Sequence, residues 1–174
     1  MNFTSHLEKS IQKDLFIYWN SKRSGLTLPG RKDIHPEEIV SLLPHIGLID
    51  VLENDLFRYR LIGTEMVKLF RKDFTGMAVE EGKTGEYGRI LQSLYSDAVT
   101  SKAAVYSRSR FILRNDLGIN VSRLILPLSE DKEKVNMLLF STMPIWTDRP
   151  KQDVGLILEQ DTRFYETSRV LEEC

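Results

Sequence analysis

The sequence predicts an α+β fold. A five-stranded antiparallel sheet cups short helices in a core at residues 28–147, with an amphipathic helix before it (1–27) and a helical tail after it (148–174). Three observations predict this. The apolar period changes from helical to alternating and back, so helices separate two groups of strands instead of following each strand. The connections within each strand group are too short for a parallel crossover. The late strands are apolar on both faces, so one sheet must be covered on both sides.

At the N-terminus, Phe3, Leu7, Ile11, Leu15, Tyr18 and Trp19 recur at helical spacing, with Lys9, Lys13, Asn20 and Lys22 on other faces. Gly25 suits a left-handed cap behind that helix. Pro36 suits the start of a short helix, with Glu37 and Glu38 at its positive end. Ile39, Leu42 and Leu43 form its buried side, and Pro44 ends it. Strands follow at Ile46–Glu53 and Phe57–Ile62, joined by the turn pair Asn54-Asp55. Thr64 is read as the cap of a helix carrying Met66, Val67, Leu69 and Phe70.

Past Gly76, Gly82, Gly85 and Gly88, a longer helix runs from about Glu86 to Ser101. It carries Tyr87, Leu91, Leu94 and Ala98 on one face, with Tyr95 beside them. Strands at Val105–Arg114, Asn120–Ser129 and Val135–Ile145 complete the core. They turn at Asn115-Asp116 with Gly118 and at Glu130–Lys134. In the tail, Ile157, Phe164, Tyr165 and Leu171 fall near a heptad stripe, which favours a helix. The run VGLILE (154–159) also suits a strand, and periodicity does not decide.

Leu124, Leu126 and Leu128 face one way, and Val121 and Ile125 the other. Val135, Met137 and Leu139 oppose Leu138 and Phe140. The middle helices can cover one face only. The second needs the N-terminal helix, a second copy of the chain, or both, because bare apolar surface forfeits about 25 cal/mol per Å². A homodimer through the N-terminal helix and sheet face is therefore expected. Pro127 has no N–H for a ladder, so its strand is expected to end or bulge there.

Twenty-four basic and 25 acidic residues leave a net charge of −1. That balance argues against nucleic acid or a membrane surface as a partner, since both select a basic excess. The one cysteine, Cys174, cannot form an intrachain disulfide. No secretory signal opens the chain and no apolar run suffices to span a bilayer, so a cytoplasmic protein is expected. No kinase, cyclase or DNA-binding segment is evident. Output is expected to pass to a separate signalling partner or through the dimer.

A family pattern runs through these elements. It comprises Tyr18-Trp19 with Arg23, then Pro29, Arg31, Asp33 and Pro36, then Leu43-Pro44 and Asp50-Val51. Arg58, Arg60 and Gly63-Thr64 follow, and the later RLILPLSED and VNMLLF also fit. From about Leu15 to Phe140 the chain resembles a family of small, often stand-alone, bacterial PAS-domain proteins. The resemblance implies a PAS-like fold and a signalling role, and it implies no particular ligand.

Cofactors of such domains can be tested by residue. A photoactive flavin needs a cysteine in the central helices, and the usual haem needs a histidine on the long middle helix. The sequence offers neither, so neither cofactor is expected. His6, His35 and His45 lack the spacing of a metal clip. Arg31 and Asp33 read as a loop clamp. Arg58 and Arg60 lie on the strand face opposite Phe57, Tyr59 and Leu61. Turned inward, Arg60 would need a carboxylate from the protein or from an anionic ligand. Ser107 and Ser109 share a face with Val105, Phe111 and Leu113, a mixture that suits a ligand cavity, and Tyr95 could close it.

The candidate ligand-binding set is Tyr59, Arg60, Thr64, Tyr95, Ser107, Ser109 and Met137. There is no nucleophile motif, phosphate loop or HExxH. The glycines at 82, 85 and 88 read as a flexible loop. The expected function is a non-catalytic sensory or regulatory module that binds a small organic ligand, a protein partner or both. The alternative is a dimerisation module with a filled core and no ligand; the third is an enzyme on a related cup.

Overall fold

The computed structural model of the chain describes residues 3–79, 85–112, 118–145 and 163–172. Its strands are β1 (Gly47–Val51), β2 (Phe57–Ile62), β3 (Val105–Ile112), β4 (Gly118–Leu128), β5 (Met137–Ile145) and β6 (Arg163–Leu171). All pairings are antiparallel, in the order β2-β1-β5-β4-β3-β6. The helices are α1 (Ser10–Ser21), α2 (Thr64–Phe70) and α3 (Gly85–Ser101). This is the predicted α+β cup, with a sixth strand added.

The register assigns the two faces. Leu126, Leu139 and Leu48 stand opposite one another across β4, β5 and β1, on the outer face. Ile125, Phe140 and Gly47 stand opposite one another on the inner face, toward α2 and α3. α1 of the same chain lies on the outer face. Its Leu15 and Trp19 are fully buried. Gln12, also fully buried, donates from Nε2 to the Ser141 carbonyl at 3.2 Å and accepts from Ser122 Oγ at 2.9 Å. Trp19 Nε1 donates to the Pro127 carbonyl at 3.0 Å.

Pro127 interrupts nothing. β3 pairs with β4 only as far as Ile125, so Pro127 lies beyond the end of that ladder, where no N–H is required. Asn54 and Asp55 form the β1–β2 turn with φ of 59° and 56°, the left-handed geometry that this residue pair tolerates.

Four local expectations change. The N-terminal helix is broken: a 3-10 turn at Phe3–His6 precedes α1. Gly25 is left-handed (φ 63°), but it sits in the Ser24–Thr27 turn, whereas α1 ends on a right-handed Lys22. The short helix expected from Pro36 is two separate 3-10 turns, Pro36–Glu38 and Leu43–His45. Pro44 has no N–H for the Val40 carbonyl, so an α-helical ladder cannot run through it. Gly63, not Thr64, is the cap residue of α2.

The tail also differs. Residues 163–171 form β6 instead of a helix, pairing along β3 from Val105↔Leu171 to Ile112↔Arg163. Without it β3 would present an unpaired edge, and the aromatic and β-branched residues of RFYETSRVL suit a strand. Gly82, Asn115-Asp116, Ile157 with the VGLILE run, and Cys174 lie outside the described residues. Among the described residues no helix is long and apolar enough to cross a membrane.

The Gln12 contacts make a prediction. Gln12→Ala removes the nearer acceptor of the Ser122 hydroxyl and the donor to the Ser141 carbonyl in a buried interface. It should cost about 2 kcal/mol in urea denaturation with an unchanged m value.

Candidate functional site

The inner face and the helices above it enclose a cavity, and each lining residue follows from local periodicity. The alternation of β2 turns Tyr59 inward beside Phe57, both buried. α3 carries Tyr87, Leu91 and Tyr95 at intervals of four, on one face. α2 brings Met66 and Phe70, and Phe74 follows it. β4 contributes Arg123, and β5 contributes Phe140 and Thr142. Gly47 permits this packing, since a Cβ there would collide with the Phe140 ring. The remaining space is about 20 Å³, room for about one water.

Arg123 is the central charged group and is 1% exposed. Its Nη1 donates to Ser109 Oγ at 2.9 Å and its Nη2 to the Tyr87 hydroxyl at 3.1 Å. The guanidinium stacks 5.3 Å from the Tyr87 ring centre and 5.6 Å from that of Phe111, close enough for cation–π attraction. Tyr59 and Tyr95 line the same space and are both buried. Burial pushes both phenols above their ordinary pKa, so each remains a neutral hydrogen-bonding group at physiological pH.

The sequence-derived candidates separate into two groups. Tyr59 and Tyr95 line the cavity, Ser109 holds Arg123, and Ser107 is buried opposite Arg123 on β3. The other three stand elsewhere. The Arg60 side chain is 58% exposed and pairs with Asp50 at 3.1 Å; Arg58 reaches the second oxygen of that carboxylate at 2.9 Å. Met137 is on the outer face, opposite Leu128 and Asp50. Thr64 borders a groove on the outer side of β1 and β2.

Sequence reasoning missed Arg123 and Thr142. The signal for Arg123 was present: it falls between Val121 and Ile125, on the face assigned to them. Asp33 and Arg31 both clamp their loop, though not to each other: Asp33 takes the Gly30 N–H at 2.8 Å and Lys132 at 3.4 Å, and Arg31 Nη1 donates to the Ile34 carbonyl at 2.9 Å. Among the described residues no cluster of histidine, cysteine or carboxylates could hold a metal ion.

The family model for the PAS domain matches residues 7–141, from the start of the outer-face segment into β5. The chain belongs to the PAS-domain family. PAS domains are sensory or regulatory modules, and this fold has their sheet and helical cover. No curated protein matches the chain.

Two measurements probe the tyrosine pair. Tyr95→Phe removes a buried hydroxyl from the cavity lining and should cost about 1 kcal/mol in chemical denaturation. Both phenols have folded pKa values above the unfolded value of 10.0. Their contribution is therefore complete below about pH 10 and is lost as pH rises beyond it toward the folded values. Wild type should lose stability on that alkaline limb more steeply than a Tyr59→Phe/Tyr95→Phe double variant.

Proposed function

We propose that this PAS domain is a sensory module that takes a small, acceptor-bearing organic ligand between its sheet and α3. On this reading it reports occupancy to a separate signalling protein or to a second copy of the chain. The observation that carries the reading is the lining of the cavity: five of its eleven residues are Tyr59, Tyr87, Tyr95, Arg123 and Thr142, all with hydrogen-bonding groups. A core that only needs filling is better served by apolar side chains, because buried polar groups demand partners. The guanidinium and the neutral phenols are donors, which favours a carboxylate or carbonyl on the ligand. Phenols held neutral by burial keep their O–H available to donate to such a group.

A cavity of about 20 Å³ holds no organic molecule, so binding requires the Met66–Phe74 wall to withdraw. Ligand affinity must then differ between closed and open states. The same small volume supports the second reading, an interaction module with a filled core that works as a homodimer.

Native mass spectrometry and a thermal-shift panel of small organic acids separate the two. A retained molecule, or a shift of more than about 2 °C, should disappear in Arg123→Met and weaken in Thr142→Val. If neither wild type nor any compound gives a signal and the chain sediments as a dimer, the filled-core reading replaces the sensor.

A further inference from the structure

We propose a second binding site on the opposite side of the sheet, for an amphipathic monoanion with an aliphatic body. A groove of about 430 Å³ lies between residues 31–46 and the outer face of β1, β2 and β5. Ile34, Ile39 and Leu43 form one wall; Leu48, Leu61 and Leu139 form the other. The volume lies within the range of roughly 300–1,000 Å³ typical of small-molecule sites.

Two departures from regular structure create the groove. Residues 36–45 make two 3-10 turns, so no helix is laid against β1 and β2. The β1–β2 register also shifts between Leu48 and Ile49, where Tyr59 pairs with Ile49 and Leu61 with Leu48, leaving Arg60 as the extra residue. That bulge reverses the alternation and puts Leu61 on the outer face, 46% exposed.

The charge at the groove is Arg31. Its Nη1 donates to the Ile34 carbonyl at 2.9 Å, which anchors the guanidinium at the wall. Among the described residues Arg31 has no ion pair, and Glu130 accepts from its backbone N–H instead, at 2.6 Å. Asp33 nearby is engaged with Gly30 and Lys132. An apolar trough with an anchored cation complements an aliphatic chain ending in an anion.

A second copy of the chain fits this groove less well. Only Pro36, Leu61 and Thr64 of its thirteen lining residues are exposed, so the feature is a concavity and not a broad face. A stable dimer needs about 800 Å² from each partner.

The test is calorimetric titration of the full chain with dodecanoate and with dodecanol, below their aggregation limits. Dodecanoate should bind at least about tenfold more tightly, and Arg31→Gln should erase that difference. Leu61→Trp should abolish binding of both while circular dichroism stays unchanged; Leu61→Glu at the same half-exposed position is the second variant if the first fails to fold. Tyr95→Phe should leave both affinities intact, which separates this site from the inner cavity. The proposal is overturned by no binding, by binding that survives at Leu61→Trp or Leu61→Glu, by loss of binding in Tyr95→Phe, or by Leu61→Trp converting a dimer to a monomer.

Discussion

β5 presents apolar side chains to both faces of the sheet, and that constraint places the other elements. Leu138 and Phe140 point to the inner side, Leu139 to the outer, and all three are at most 5% exposed. A strand of this kind has to be central, and it lies between β1 and β4. Two covers are then required. The inner one is α2 together with α3, which carries Tyr87 and Tyr95; the outer one is α1 and the 3-10 turns that follow it. The cavity and the groove lie where these two covers are incomplete.

The outer cover is held by polar contacts as well as by burial. α1 meets the sheet through Gln12 and Trp19, whose three side-chain bonds reach carbonyls of strand residues: Ser122 and Ser141 for Gln12, Pro127 for Trp19. Apolar contact alone would allow a helix to slide along a flat sheet face. Side-chain donors aimed at fixed carbonyls set its position. Arg108 and Glu8 add a pair at 2.9 Å at the other end of the segment, half-exposed and correspondingly weak.

Most of the fold was legible in the sequence because its signals are local. The Asn54-Asp55 turn, the alternation in β2, β4 and β5, and the spacing of Tyr87, Leu91 and Tyr95 each depend on a few neighbouring residues. What escaped depends on partners distant in the chain. β6 is a strand because β3 offers it an edge; residues 163–171 suit a strand by composition, but the spacing of Phe164 and Leu171 suits a helix as well. The outward turn of Leu61 depends on a bulge opposite Leu48, although strict alternation groups it with Phe57 and Tyr59. Arg123 is an intermediate case. Its alternation was readable, but a guanidinium in a core looks like an error until Ser109, Tyr87 and Phe111 are seen around it.

β6 also ties the two covers together. Arg169, on its inner side, bonds Ser93 at 2.8 Å and Asp97 at 2.5 Å, both on α3. Glu172, just past its end, takes both oxygens to Arg23 Nη1 at 2.9 and 3.0 Å. Arg23 in turn stacks 4.9 Å from the ring of Trp19, the anchor of α1. One strand therefore connects the helix over the inner cavity with the helix on the outer face, around the edge of β3. The strand that makes this connection lies beyond residues 7–141, the extent of the family match. The matched core builds the cup, and the added strand carries side-chain contacts both to its inner helix and to Arg23, just past the end of its outer one.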